Sequence, residues 1–322
     1  MDLRAMFMGL GFVLMWSSAF TSARMIVADA PPLAALSLRF LVSGLIGVGI
    51  ARAIGQSWIL TARQWRAVAV FGFCQNALYL GLNFVAMQRV EAGLASIIAS
   101  LMPILVAALG WAFRGDRMRP LGWLGLAAGL AGVAVITGSR VGADAGPDIP
   151  GLLLCGLGAT ALAIATLTVG GTGAGGNVLM IVGLQMFVGA AALGAVSAVT
   201  ETWSVNWTPR LAAAFAYTTL VPGLFATWVW FRLVNRIGPV RAATFHFLNP
   251  FFGVGIAWAL LGEPLRATDI AGVAIVMAGI LAVQVSRAAP RTDPAAGGDE
   301  RAAAAVPPSP FPSPARDLSS RG

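Results

Sequence analysis

The residues able to do chemistry are few, and they lie inside apolar runs. The chain holds one histidine, His246, followed at three and four residues by Asn249 and Pro250, within RAATFHFLNPFFGVGIAWALLGEPL from Arg241 to Leu265. His246, Asn249 and Gly253 share one helical face. Pro250 has no N–H, so the carbonyl of residue 246 loses its helical partner. In hydrocarbon such a carbonyl must find water, a side chain or a ligand. His246 has two functional readings, a proton-coupling group or a substrate contact, and a bland one, a neutral packing residue. A second set, Asn76, Tyr79 and Asn83, falls at i, i+3 and i+7 on one face. These residues either glue helices together or line a cavity, and the cavity is the preferred reading. Trp16 and Ser17 fall near mid-depth of the first apolar run and are further pathway candidates. Gly93, Ser96, Ser100 and Pro103 form a small-residue stripe, read first as a close-packing face and second as a ligand contact. Arg39 lies about 9 Å into the second run by helical rise. It either meets an anionic group of a substrate or snorkels to the surface, and snorkelling is preferred.

The remaining polar inventory excludes several classes. All 13 acidic residues lie in loops, tails or run ends, which argues against a proton or sodium relay built on a buried carboxylate. All 21 basic residues are arginine, and without lysine there is no P-loop and no Schiff base. The arginines separate apolar runs and do not form patches with interleaved aromatics, so no nucleic-acid partner is expected. Cys74 and Cys155 read as small buried thiols, not as a disulfide framework. No metal-ligand spacing, catalytic constellation or cofactor motif is present, so no catalytic residue, metal or cofactor is expected. An integral membrane enzyme acting on lipid-linked groups is the competing class, but it would need a carboxylate, a histidine pair or a metal cluster at the membrane edge.

The elements that must position these residues follow from composition. Of 322 residues 58% are hydrophobic and only 11% charged, and mean hydropathy is +0.81. Soluble domains average about 25% charged residues. Ten runs are long enough to cross about 30 Å of hydrocarbon: residues 5–27, 33–52, 67–88, 91–113, 120–138, 150–169, 177–199, 211–234, 239–261 and 268–286. The first outlasts a signal-peptide core and reads as a membrane helix. After residue 287 the composition turns to Pro, Ala, Ser and Asp, a tail expected to be disordered. With the N-terminus inside, the inner segments before the tail hold ten arginines and the outer ones five. This predicts a multi-pass protein of the bacterial inner membrane with both termini cytoplasmic.

The second half also repeats the first. Shifted by 147 positions, Arg236 falls on Arg89, Pro250 on Pro103, Trp258 on Trp111, Gly262 on Gly115 and Glu263 on Asp116. Pro103 thus frees the carbonyl of Ala99 as Pro250 does that of His246. Weaker matches bring Gln185 near Arg39 and set Gly223, Ala226 and Trp230 against Asn76, Tyr79 and Asn83. The two copies therefore offer unlike walls, which suits an amphipathic solute. Five runs per copy is an odd number, so the second copy enters the membrane inverted, and its arginine bias is inverted too. The fold expected is an all-α integral membrane protein of ten transmembrane helices in two inverted five-helix repeats. Its domains are 1–138, a linker at 139–149, 150–286 and the tail 287–322.

MWSSAF in the first run, LRF in the second and the twin segments LMPILVAALGWAFRGD and FLNPFFGVGIAWALLGEP, each followed by a glycine-rich run, resemble the EamA-type members of the drug/metabolite transporter superfamily. The resemblance covers about residues 5–286; Asp116 stands where that family often has Glu. It implies ten helices and the movement of small polar or amphipathic solutes. The function expected is a secondary transporter working by alternating access, in the export direction. Trp16, Ser17, Asn76, Tyr79, Asn83, Ser100, Trp230, His246 and Asn249 are the candidate substrate contacts, with Pro103 and Pro250 as structural kinks. The expected partners are a small-molecule substrate and the lipid bilayer. Gly125-xxx-Gly129 offers a close-packing face on which a homodimer could form.

Overall fold

A computed structural model of the chain describes residues 3–116, 118–138, 148–169, 177–237, 242 and 245–288. Expectations for Arg117, Arg140, Asp144, Arg241 and the tail beyond Ala288 lie outside these residues, as does most of the linker. Among the described residues all regular structure is helical. The helices are α1 (Leu3–Asp29), α2 (Pro32–Ala53), α3 (Ala62–Ala86), α4 (Ala92–Arg114), α5 (Pro120–Gly138), α6 (Ile149–Val169), α7 (Val178–Thr200), α8 (segments Pro209–Thr218, Thr219–Phe225 and Ala226–Ile237), α9 (Phe245–Leu261) and α10 (Ala267–Ala288). Nine are long and apolar enough to cross a membrane, and α9 is a shorter apolar helix.

Local chemistry sets their ends. Thr61 and Gln64 form a capping box at the start of α3, the Thr61 N–H donating to Gln64 Oε1 at 2.9 Å and Gln64 N–H to Thr61 Oγ1 at 3.3 Å. Thr208 Oγ1 accepts from Leu211 N–H at 3.0 Å, with Pro209 opening α8. The twin Gly-Asp and Gly-Glu signals are matching C-terminal stops: Gly115 (φ 67°) and Gly262 (φ 68°) end α4 and α9 in the left-handed region, where glycine carries no Cβ penalty. The Glu263 carboxylate then caps α4, accepting from Ala92 N–H at 2.7 Å and Gly93 N–H at 2.9 Å. Burial lifts this carboxyl above its ordinary pKa, against the two N–H groups that favour its charge. Glu201 does the same for α2, accepting from Leu33 and Ala34 N–H at 2.8 and 2.9 Å.

The two repeats meet through helices that are equivalent under the 147-residue shift: α2 packs on α7, α4 on α9 and α5 on α10. The α5–α10 contact is reciprocal. A Cβ on Gly125 would lie 2.6 Å from the Gly279 carbonyl oxygen, and one on Gly279 would lie 2.7 Å from that of Gly125. The equivalent pair behaves alike, Gly132 at 2.8 Å from the Gly272 oxygen and Gly272 at 2.9 Å from that of Gly132. Residue numbers rise along one helix as they fall along the other, so the repeats are antiparallel. The Gly125–Gly129 face is thus filled by the chain's own α10 and by Ile104, not left open for a second copy.

Both proline breaks are present. α4 is interrupted at Leu101, two residues before Pro103, and α9 begins with a 3₁₀ turn, Phe245–Leu248, that precedes Pro250. A further irregularity appears in α3 and α8. Gly72–Leu80 and Thr219–Phe225 are π-helical, and Gly72 falls on Thr219 under the same 147-residue shift. The repeat is therefore kept in the irregular backbone as well as in the regular helices.

Candidate functional site

The two π segments flank a cavity of 470 Å³ between the repeats, walled by α1–α4 and α6–α9. Its residues come from equivalent places in both copies. Asn76 and Tyr79 of the first π segment face Pro222 and Gly223 of the second, and Arg39 of α2 has its counterpart Met186 on α7, next to Gln185, which also lines the cavity. From mid-depth the cavity runs toward the first turns of α3 and α7, where Gln64 and Val178 line it. In the other direction it meets a smaller cavity of 50 Å³, bounded by Ala23, Asn83 and Met87. Trp16, Arg39, Tyr79, Leu80 and Pro222 line both and form the boundary. Beyond it the Arg24 guanidinium donates to the Met87 carbonyl, tying the C-terminal ends of α1 and α3 together.

Four rings cluster in one part of the wall. Phe12 lies 4.8 Å from Trp230 and 5.6 Å from Trp16, centroid to centroid, and His246 meets Phe12 edge-on at 5.2 Å and Trp230 at 5.1 Å. Asn249 Nδ2 lies 3.1 Å from His246 Nδ1. With the amide donating, Nδ1 accepts and the neutral ring carries its proton on Nε2. Asn249 itself is buried in helix packing. Ser17 Oγ donates to its carbonyl at 3.3 Å, and Ser96 Oγ reaches the same oxygen at 3.4 Å. The notch in α9 therefore joins α1, α4 and α9 and orients the histidine.

Of the residues singled out by sequence, Trp16, Asn76, Tyr79, Trp230 and His246 line the main cavity. Asn83 lies in the smaller one, its Nδ2 donating to the Tyr79 carbonyl at 2.7 Å. Asn76 is both glue and wall, since its Nδ2 donates to the Gln185 carbonyl of α7 at 2.9 Å. Ser17 and Asn249 are not in the cavity wall. Nor is Ser100, because its hydroxyl donates back to the Ser96 carbonyl of its own helix at 2.6 Å. The snorkelling expected of Arg39 is not what the structure has. Its side chain is buried and turned into both cavities, because the face of α2 that carries it packs toward α8. Gln64, Gln75, Thr166, Gln185 and Thr227, which are not among the sequence candidates, also line the cavity. Four of them, Gln75, Thr166, Gln185 and Thr227, are polar residues within apolar runs, a signal the sequence carries; Gln64 lies outside the runs. Trp58, Trp65, Trp203 and Trp207 are exposed near helix ends, as an interfacial belt requires.

Inverted repeats with a cavity between them recur among secondary transporters, and comparison with known proteins identifies the kind. The EamA-like transporter family model matches residues 3–138 and again 149–284. The chain belongs to the EamA-like transporter family. Relatives include the uncharacterized transporter YvbV of Bacillus subtilis, 27% identical over 90% of this chain and 94% of that one. Protein PecM of Dickeya dadantii is 25% identical over 82% and 86%, and the uncharacterized inner membrane transporter YedA of Escherichia coli K12 24% over 85% and 88%. A solved crystal structure aligns with a TM-score of 0.62 at 19% identity, covering 88% of this chain and 98% of its own, a likeness of fold alone. This EamA-family chain is therefore a multi-pass membrane protein and a transporter by kinship.

Proposed function

We propose that this EamA-family protein is a secondary carrier that exports a small amphipathic metabolite by alternating access, with the 470 Å³ cavity as its substrate site. The observation that carries the reading is the cavity's placement. It lies between inverted repeats, is walled by equivalent residues of both, extends toward one membrane face and is tied shut toward the other by Arg24 on Met87. Its volume is within the roughly 300–1,000 Å³ usual for small-molecule sites. With both termini assigned to the cytoplasm by arginine bias, the extending end is the cytoplasmic one, which suits loading from inside. The description of YedA as an inner membrane transporter supports an inner-membrane location for this chain. The aromatic rings of Phe12, Trp16 and Trp230 bind an apolar body, and the amides of Asn76, Gln185 and Gln64 orient its polar groups. Among the described lining residues there is no carboxylate to couple flux to sodium or protons, which favours a facilitator or an exchanger. Counterflow in proteoliposomes tests this: saturable, substrate-dependent exchange is expected. Conversion of a lipid-linked substrate in detergent without any flux would replace the carrier with a membrane enzyme.

A further inference from the structure

Arg39 sits where the two cavities meet, at the closed end of the larger one, and is 7% exposed. Its guanidinium carbon lies 5.3 Å from the Phe40 ring centroid, its Nε has no hydrogen-bond partner, and no described carboxylate lines either cavity. One helical turn on, Ser43 is 1% exposed and its Oγ is also without a partner. Both approach the π segment of α8: a Cβ on Gly223 would stand 3.4 Å from an Arg39 terminal nitrogen and 3.7 Å from Ser43 Oγ. Arginine stays charged in proteins, and a buried arginine is almost always paired. An unpaired one is among the costliest groups to keep inside a protein. A counter-charge supplied by the cargo resolves this.

We propose that Arg39, with Ser43 beside it, is the anion-binding pole of the substrate site, and that the cargo is a small organic anion. Its carboxylate or phosphonate oxygens accept from the guanidinium fork and from the Ser43 hydroxyl. Its apolar body extends along the cavity against Trp16 and Trp230. This inference rests on the cavity being the carrier's substrate site. A fixed positive charge at the closed end also selects by sign, since a cationic cargo would add repulsion to the burial of two like charges.

The test uses the full-length purified protein and probes of one shape: phenylpropionate, phenylpropanamide and phenylpropylamine, with benzylphosphonate as a second acid. Thermal-stabilisation titrations are expected to rank both acids at least about tenfold tighter than the amide, with the amine weakest. Arg39→Gln should weaken the acids roughly ten- to hundredfold and leave the amide unchanged, whereas Arg39→Lys should keep the acid-over-amide order. Without ligand, Arg39→Gln should melt no lower than the parent protein, because it removes an unpaired buried charge; a structural arginine would lower the melting temperature. Equal responses to acid, amide and amine, including no response to any, overturn the proposal, as does an Arg39→Gln variant that still prefers acids. Vesicle flux of the amide or amine with no preference for acid removes the anion pole and leaves the carrier standing. Acid binding with no vesicle flux of any probe removes the carrier and leaves the pole.

Discussion

At the residue scale, His246 shows how surroundings decide between roles. Three aromatic rings and one amide surround it, and no carboxylate shares its cavity among the described residues. A ring so placed contributes packing and a single N–H more readily than a travelling proton. His246→Gln is expected to weaken substrate binding by roughly two- to tenfold, the range of one aromatic contact. The pH profile of transport should keep its shape; a flattened profile would make the histidine the coupling group instead. Much of this site is legible from residue type, because a histidine, two asparagines and a tyrosine within apolar runs must face protein or cavity. Ser100 misleads because a membrane serine satisfies itself on its own helix. Arg39 misleads for another reason. Its distance from the helix end permits snorkelling, and only the rotation of α2 against α7 and α8, which no run of letters states, turns it inward.

At the element scale, the caps and the glycine contacts carry separable amounts of stability. Glu263 satisfies two N–H groups at the start of α4, so Glu263→Ala should cost about 1–2 kcal/mol and lower the melting temperature in detergent. Its equivalent Asp116 makes no such bond among the described residues, and Asp116→Ala should leave stability nearly unchanged. Gly125→Leu drives a side chain into the backbone of α10 and should destabilise by about 3 kcal/mol or more, measured by the same melt. Gly255→Leu, where an added Cβ meets nothing within 4 Å, serves as the neutral control. Helix positions and the twin Gly-Asp/Glu stops can be read from apolar run length and from glycine's freedom at positive φ. The paired π segments cannot, since the i→i+5 pattern is chosen by packing against neighbours and leaves no compositional mark.

At the scale of the whole molecule, the cavity's polarity predicts sided access. In a cysteine-free background, Gln64→Cys should react with a membrane-impermeant thiol reagent added from the cytoplasmic side. Ala23→Cys, enclosed between the Arg39 boundary and the Arg24–Met87 tie, should be protected from both sides until cargo turnover begins. Labelling of Ala23→Cys from outside in the resting protein would mean that the tie does not close that end. The reciprocal glycine contacts of α5 and α10 have a consequence for how such a protein can arise. Each half presents to the other the surface that the other presents to it. A lone five-helix polypeptide threaded into the bilayer in both directions would find its own complement, so one unduplicated gene could have assembled this interface before fusion joined two copies in a single reading frame.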